Sequence, residues 1–212
     1  MAAALRERFN RDFWLADRQC FALALDGEKR PVDSLTSNIG HLLWSGIVDD
    51  DKAAAVAAHL VGDRLFSGWG VRTMADGDAA YNPIEYHNGT VWPHDNALIA
   101  AGLRRYGYGA EAARIGKALL DAATYFQYRL PEVFAGYERA LTCFPVEYPT
   151  ASSPQAWAAG TPLLVLRVLL GLEPGDPDLR NDPVLPDGVD RISLIGIPWR
   201  ATHADVVAQR RP

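Results

Sequence analysis

The feature that most constrains this fold is a series of apolar stripes at helical spacing, joined alternately by short turns and long loops. Ile39, Leu42 and Ile47 share one helical face, and Ile115 and Leu119 share another. Asp, Asn, Pro and Gly stand at the ends of these stripes, where they favour helix starts and stops. Six helices are therefore predicted, at about residues 2–17, 38–47, 51–65, 93–106, 110–127 and 155–171.

The alternation of short and long connectors predicts a cleft. If each helical hairpin turns tightly at one end, the long loops collect at the other end of the bundle. Long loops in a compact domain usually have a function. The segments expected to meet there are SGWGVRT (67–73), YHNGTVWPHD (86–95), RLPEVFAGYER (129–139) and YPTASSPQAW (148–157).

The C-terminal part of the chain departs from the helical pattern. Proline recurs at positions 174, 177, 183 and 186, and the segment RISLIGIPW (191–199) has the composition of β-structure. The sequence therefore predicts a helical domain over residues 1–173 and an extended or β tail over residues 174–212 that packs on it.

Composition and charge exclude several classes of function. The 212 residues suffice for one domain with a large core, and a net charge of −5 disfavours nucleic acid as a partner. No apolar run reaches the roughly 20 residues that cross a membrane, and the charged N-terminal segment does not resemble a signal peptide. Cys20 and Cys143 lack the spacing of a disulfide framework or a zinc site. We expect a cytoplasmic protein without metal or cofactor.

The predicted loops carry the mixture of side chains that a carbohydrate cleft needs. Aromatic rings bind the C–H faces of sugars, and neighbouring polar groups bind the hydroxyl groups. Each tryptophan taken alone could instead plug the end of the bundle, but four large aromatics fall in or beside these loops. The aromatic candidates are Trp69, Tyr86, Trp92 and Trp157, and the polar candidates are Arg72, His87, Asn88, His94 and Asp95.

Some of these polar residues also have other interpretations. Asp95 lies in the first turn of a predicted helix, where a carboxylate is favoured by the free N–H groups and the helix dipole. His87 and His94 could be metal ligands, but no HExxH motif or nearby cysteine supports this, so hydroxyl binding is preferred. A serine hydrolase is not indicated because no GxSxG motif is present.

Glu132 is the candidate catalytic acid or base. It follows Pro131 on a long loop at the expected cleft end, whereas nothing separate favours Glu138 or Glu147 on the same loop. A glutamate on a loop is by default a solvated surface residue. Beside an aromatic cleft, however, a carboxylate could activate a water molecule for cleavage of a glycosidic bond.

Five ordered segments resemble the C-terminal half of the catalytic domain in bacterial proteins of the glycogen-debranching (amylo-α-1,6-glucosidase) family. They are SNIGHLLWSGI, SGWGVRT, YNPIEYHNGTVWPHDNALIAAGL, RLPEVFAGYER and YPTASSPQAWAAG, and the match runs from about Arg6 to about Arg200. The resemblance implies an all-α, partial (α/α)6 toroid of the six-hairpin glycosidase type, with about three helical hairpins and a short C-terminal β segment. It also implies an inverting mechanism with Glu132 as general base, and adds Gln155 beside Trp157 to the sugar-binding wall.

The chain also departs from that pattern. Family members carry the general acid upstream of the segment with which this chain begins, no counterpart occurs within residues 1–33, and six helices are half of a closed toroid. We therefore expect a fragment that acts on an oligosaccharide or a glucose-, mannose- or glucosylglycerate-type compound, and that pairs with a missing N-terminal half or with itself. The alternatives are a non-catalytic carbohydrate-binding remnant and a helical scaffold for protein partners.

Overall fold

The computed structural model describes residues 1–175 and 178–210. Within these ranges α-helices are the main regular secondary structure, and five of the helices have eleven or more residues. The C-terminal residues 211–212 of the predicted tail lie outside the described residues, as do residues 176–177. The helices are α1 (Ala2–Asp12), α2 (Asn38–Ser45), α3 (Asp50–Val61), α4 (Pro93–Arg105), α5 (Gly109–Tyr125), α6 (Arg139–Thr142) and α7 (Ala156–Leu170).

The expectation of an all-α fold is too narrow, because the described residues also form four two-stranded antiparallel sheets. Three of these sheets are pairs of two-residue strands, and the fourth is a long C-terminal hairpin with a register shift between Leu194 and Ile197. The strands are β1 (Trp14–Leu15), β2 (Cys20–Phe21), β3 (Ala24–Leu25), β4 (Pro31–Val32), β5 (Glu173–Pro174), β6 (Leu179–Arg180), β7 (Arg191–Trp199) and β8 (Thr202–Gln209).

Helix α4 lies at the centre of the molecule and packs against α2, α5 and α7. Its closest neighbour is α2, because glycines face each other across the two helices. A Cβ atom added to Gly102 would lie 2.5 Å from the backbone nitrogen of Trp44 and 2.8 Å from the carbonyl oxygen of Gly40. The absence of a side chain at Gly102 therefore lets the two helices approach closely.

Two of the expected helical hairpins form through short turns. The α2–α3 turn begins at Gly46, whose φ of 77° is the left-handed conformation that glycine adopts at helix ends. The α4–α5 turn spans only residues 106–108. After α7, however, the chain continues into β structure, and Leu170 and Leu172 pack with Val206 and Ala208 of β8 in one apolar cluster. The division into two domains at residues 173 and 174 stays a prediction.

Helix α1 ends at Asp12 instead of continuing to about residue 17. The next residues pair with a later segment, with Trp14 opposite Phe21 in the β1–β2 ladder. The ring of Phe9 stacks on Phe13 at 4.7 Å and on Phe21 at 5.3 Å between centroids. This aromatic packing between residues distant in sequence outweighs the local helix propensity of residues 13–17.

The long loops meet at the N-terminal end of α4 through isolated antiparallel bridges. Arg72 pairs with Val91, Val91 with Phe134, and Phe134 with Glu147. The backbone N–H groups of Val91 and Phe134 donate to each other's carbonyl oxygens at 2.9 and 3.0 Å. Three of the four loop segments expected to converge are thereby joined side by side.

No helix within the described ranges has both the length and the apolarity needed to cross a membrane.

Candidate active site

The carboxylate of Glu132 is held in a fixed orientation beside the joined loops. The hydroxyl group of Tyr86 donates a hydrogen bond of 2.8 Å to Oε1, and the backbone N–H of Ser152 donates one of 3.3 Å to Oε2. The backbone N–H of Glu132 donates in turn to the carbonyl oxygen of Ser152 at 2.9 Å. Glu132 is half-buried, so its carboxylate has fixed partners and is still reachable by solvent.

Aromatic side chains of the YHNGTVWPHD segment contact Tyr86, the side-chain partner of Glu132. The ring of Tyr86 lies edge-on to Trp92 and to His87, each at 4.7 Å between centroids, and His87 stacks on Trp92 with an interplanar angle of 6°. The Trp92 Nε1–H donates to the Tyr86 carbonyl at 3.2 Å and to Oγ1 of Thr90 at 3.0 Å. These contacts fix the rings as one wall.

The wall continues from α4 to α7 through His94. The His94 ring lies 5.7 Å from Trp92 and 4.7 Å from Trp157, edge-on to both. Trp157 itself is 66% exposed, as expected for a ring that a ligand could cover. Burial lowers the pKa of His94. The negative charges of Asp95 and Glu132 oppose this shift. Burial therefore favours the neutral form of His94.

A cleft of about 440 Å³ opens along this wall. A volume of this size suits a small ligand. Half of the ten predicted binding residues line it, together with residues just before β3, at the start of α2 and in the loop between α3 and α4. The lining residues are Leu23, Thr36, Ser37, Asn38, Thr73, Met74, His87, Asn88, Trp92, His94 and Asp95.

Asp95 connects the cleft to α2. It is the third residue of α4, and its Oδ1 is in hydrogen-bond contact with Nε2 of His41. This hydrogen bond raises the pKa of His41, although burial acts in the opposite direction. The sequence alone does not single out His41, because this residue lies 54 positions before Asp95 and beside the apolar stripe of α2. The only local signal for a role of His41 in the site is its position one turn into α2, whose first residue lines the cleft.

Trp69 and Arg72 lie beneath the wall, each 1% exposed. Trp69 packs with Val91 and Phe134, and its ring lies 4.1 Å from the guanidinium carbon of Arg139. Arg72 donates from Nε to the carbonyl oxygen of Gly136 at 2.6 Å and from Nη1 to two further backbone carbonyls. Both side chains therefore support the loops in this structure, and neither presents a surface to the cleft.

The remaining predicted residues have local roles as well. The Asn88 amide donates to the carboxylate of Glu85 at 2.9 Å, which orders the loop at the cleft edge. The side-chain oxygen of Gln155 accepts from the backbone N–H of Ala158 at 3.0 Å and caps the N-terminus of α7. This cap fixes the first turn of α7, and with it the position of Trp157.

A larger cavity of about 910 Å³ lies between the C-terminal ends of α2, α4 and α7, away from the joined loops, and it contains none of the predicted residues. Within the described ranges, no three His, Cys, Asp or Glu side chains are grouped as metal ligands would be. The arrangement at the N-terminal end of α4 combines a carboxylate with fixed partners, an aromatic wall and polar side chains.

Known structures share the fold of this chain. A sialidase aligns with 98% of this chain at a TM-score of 0.79 and 14% identity, and the alignment covers 20% of that protein. The GH63 mannosylglycerate hydrolase from Thermus thermophilus, solved in complex with glucose, aligns with 73% of this chain at a TM-score of 0.60 and 20% identity, over 34% of its own length.

Comparison of sequences gives the family. Mannosylglycerate hydrolase MGH1 from Selaginella moellendorffii is 30% identical over 92 residues, which are 42% of this chain and 19% of that protein. The matched segment thus spans about a fifth of the length of the curated relatives. Residues 1–138, well over half of the chain, match the mannosylglycerate hydrolase MGH1-like glycoside hydrolase domain. The chain belongs to this glycoside hydrolase family.

Proposed function

We propose that this chain supplies the general base and part of the sugar-binding wall of an inverting α-glycosidase, with Glu132 as the base. The observation that carries the proposal is the position of Glu132, held by Tyr86 and Ser152 next to the aromatic wall. In an inverting mechanism a carboxylate takes a proton from water, and this water attacks the anomeric carbon on the face opposite the leaving group.

A small α-glycoside of the mannosylglycerate or glucosylglycerate type is the substrate class we favour. The family of the chain and the named activity of its relatives support this choice. A cleft of about 440 Å³ also suits a compound of one or two rings. The amylo-α-1,6-glucosidase activity implied by the sequence resemblance stays a prediction, and an α-1,6-linked glucoside belongs in the same substrate panel.

An inverting glycosidase also needs a general acid, about 6.5–9.5 Å from the base, to protonate the leaving oxygen. Three carboxylates of this chain are engaged with other groups: Asp33 pairs with Arg18, Asp95 with His41, and Glu138 lies 3.9 Å from Nη2 of Arg72. We propose that the acid comes from another part of a complete toroid. The chain alone should then hydrolyse substrates whose leaving group needs no protonation.

Glycosyl fluorides test this proposal directly, because fluoride leaves without help from an acid. We expect the chain to hydrolyse α-D-mannosyl or α-D-glucosyl fluoride and to act far more slowly on mannosylglycerate. Glu132→Gln should lower the rate of fluoride hydrolysis by about 10²–10⁴-fold. Glu147→Gln is the matched control, since Glu147 is an exposed glutamate of the same loop. Equal rates in the wild type and Glu132→Gln would refute the assignment of the base.

The alternative from the sequence, a carbohydrate-binding remnant without catalysis, gives a different pattern in the same experiment. Such a protein would bind methyl α-D-mannopyranoside or methyl α-D-glucopyranoside in calorimetric titration but release no fluoride from either glycosyl fluoride. A measured rate that depends on Glu132 would exclude this alternative.

A further inference from the structure

The cavity of about 910 Å³ between the C-terminal ends of α2, α4 and α7 has a charge opposite to that of the whole protein. Its described lining includes four arginines but two carboxylates, those of Glu173 and Asp182. The protein as a whole has a net charge of −5. Positive charge gathered in a concave site attracts anions. The arginines are Arg104, Arg105, Arg167 and Arg180.

Helix ends account for part of this positive charge. A cation near the C-terminus of a helix offsets the partial negative charge of the unpaired carbonyl groups. Arg105 donates from Nη1 to the carbonyl oxygen of Trp44 at 3.0 Å, and Arg167 donates from Nε to that of Leu172 at 3.1 Å. Both side chains therefore have a structural role. A guanidinium has five N–H groups, however, so these bonds leave further donors on each.

The two carboxylates pair with two of the arginines. Nη2 of Arg167 lies 3.2 Å from Oε2 of Glu173, and Nη2 of Arg104 lies 2.6 Å from Oδ2 of Asp182. Arg104 also packs against the backbone, because a Cβ atom added to Gly171 would lie 2.4 Å from its Nη2. The charges of Arg104 and Arg167 are thus balanced within the protein.

Arg105 and Arg180 have no carboxylate partner in the part of the chain that the structure describes. Arg180 lies on β6 rather than in a helix, is exposed, and makes no hydrogen bond with a described residue. Compensation of a helix dipole therefore does not explain it. Two unpaired guanidinium groups on one cavity suit a phosphate monoester, which carries about −1.5 to −2 charges at pH 7 and accepts paired N–H groups from arginine.

The same cavity has an apolar surface. Trp44 is 49% exposed and lines it, together with Ala101 of α4 and Leu164 and Val168 of α7. An exposed indole ring can pack on the face of a nucleobase or of a sugar ring. An inorganic anion would leave this surface unused, whereas an anion with a ring would cover it. The volume lies within the range of small-molecule sites.

We propose that this cavity is a binding site for a small organic phosphate with a ring, in which Arg105 and Arg180 bind the phosphate and Trp44 packs on the ring. Nucleotides and sugar phosphates share this chemistry. Arg105 lies roughly 16 Å along α4 from His94, which lines the other cleft. The cavity is therefore a second site, and its ligand is independent of the glycosidase function proposed above.

Calorimetric titration of the full chain with AMP and with glucose 6-phosphate tests the site and distinguishes the two sources of phosphate. We expect at least one of them to bind, adenosine and glucose to bind at least tenfold more weakly, and Arg180→Gln to weaken phosphate binding about tenfold. Arg8→Gln is the matched control, because Arg8 is an exposed arginine of α1 that does not line the cavity.

Three results would overturn the proposal. They are no binding of either phosphate to the wild type, equal affinity in the wild type and Arg180→Gln, and an equal loss of affinity in Arg8→Gln and Arg180→Gln. Tighter binding of a hexaglutamate peptide than of either phosphate would indicate an acidic protein segment, and would also overturn the ligand class.

Arg105→Gln tests the second guanidinium. The glutamine amide can still donate to the carbonyl oxygen of Trp44, so the substitution removes the charge and keeps the hydrogen bond at the end of α2. We expect phosphate binding to weaken about tenfold with little change in Tm. A lower Tm with unchanged affinity would show that Arg105 is structural and would overturn its role in the site.

Trp44→Leu tests the contact with the ring. It should weaken binding of the preferred organic phosphate about tenfold, and inorganic phosphate should bind at least tenfold more weakly than that compound. Tyr128→Leu is the control, because Tyr128 is 77% exposed and does not line the cavity. Inorganic phosphate that binds as tightly as the organic compounds would overturn the role of the ring.

The two proposed sites are separated by measuring both activities in the same variants. Glu132→Gln should lose fluoride hydrolysis and keep phosphate binding, and Arg180→Gln should show the reverse. If Glu132→Gln loses hydrolysis while Arg180→Gln binds phosphate normally, the general base stands and the phosphate site fails. If Arg180→Gln loses phosphate binding while Glu132→Gln hydrolyses normally, the phosphate site stands and the general base fails.

Discussion

The hydroxyl group of Tyr86 lies 2.8 Å from Oε1 of Glu132, although the two residues are 46 positions apart in the chain. This hydrogen bond raises the pKa of the Tyr86 phenol, because the carboxylate stabilises its protonated form. It also joins the proposed catalytic carboxylate to the aromatic wall, since the Tyr86 ring contacts Trp92 at 4.7 Å.

Tyr86→Phe should therefore slow catalysis without unfolding the protein. The substitution keeps the ring in the wall and removes the group that orients Glu132, so hydrolysis of an α-glycosyl fluoride should fall roughly 3- to 10-fold. Tyr128→Phe serves as the control, because Tyr128 is 77% exposed. An unchanged rate for Tyr86→Phe would show that this hydrogen bond does not orient the base.

The pair formed by His41 and Asp95 should make stability depend on pH. The pKa of His41 is raised in the folded state. The protonated His41–Asp95 pair therefore stabilises the fold fully at pH values below the unfolded-state pKa of about 6.5. This stabilisation is lost as the pH rises through the folded-state pKa. His41→Gln keeps a donor but cannot titrate. We expect Tm of the wild type to fall relative to Tm of His41→Gln between pH 6 and pH 9. A difference in Tm that is constant over this range would contradict the account.

The close contact of α2 and α4 should make Gly102 intolerant of a side chain. In Gly102→Ala the new Cβ would lie 2.5 Å from the backbone nitrogen of Trp44, which cannot move aside independently of its helix. We expect a loss of about 3 kcal/mol in the free energy of unfolding. Gly160→Ala is the control, since a Cβ there meets nothing within 4 Å and should stabilise α7 by about 0.5–1 kcal/mol. Urea unfolding of the two variants measures both effects, and equal stabilities would refute the packing argument.

The unpartnered hydroxyl groups of Thr36 and Thr161 should contribute nothing to stability in the absence of a ligand. Valine has nearly the same shape as threonine and removes a polar atom that is buried without a hydrogen bond. Thr36→Val and Thr161→Val should therefore leave the free energy of unfolding unchanged or raise it by up to about 2 kcal/mol. A loss of more than about 1 kcal/mol in Thr36→Val would mean that its hydroxyl group already has a partner.

Local patterns predicted the central helices well. Pro93 is a local signal for a helix start, and the structure has a helix that begins at this residue. The long loops were expected to converge, and the bridges from Arg72 to Glu147 join three of them. Helix α1 is shorter than predicted because Trp14 pairs with Phe21, a contact that no local pattern indicates.

The sequence could not separate the surface of the site from its supporting layer. Trp69 and Trp92 lie in similar loop segments, yet Trp69 is 1% exposed beneath the bridged loops and Trp92 lines the cleft. Burial in such loops depends on how several segments cross, and one segment does not contain that information. His41 was missed for the same reason, since its partner Asp95 comes from another helix.

Proton NMR of α-D-mannosyl or α-D-glucosyl fluoride hydrolysis tests the central claim most directly, because it reports the rate and the configuration of the first product together. An inverting enzyme with Glu132 as base should release the β-anomer first, and Glu132→Gln should abolish this reaction almost completely. Initial release of the α-anomer, or β-anomer formed at the same rate by wild type and Glu132→Gln, would contradict the account.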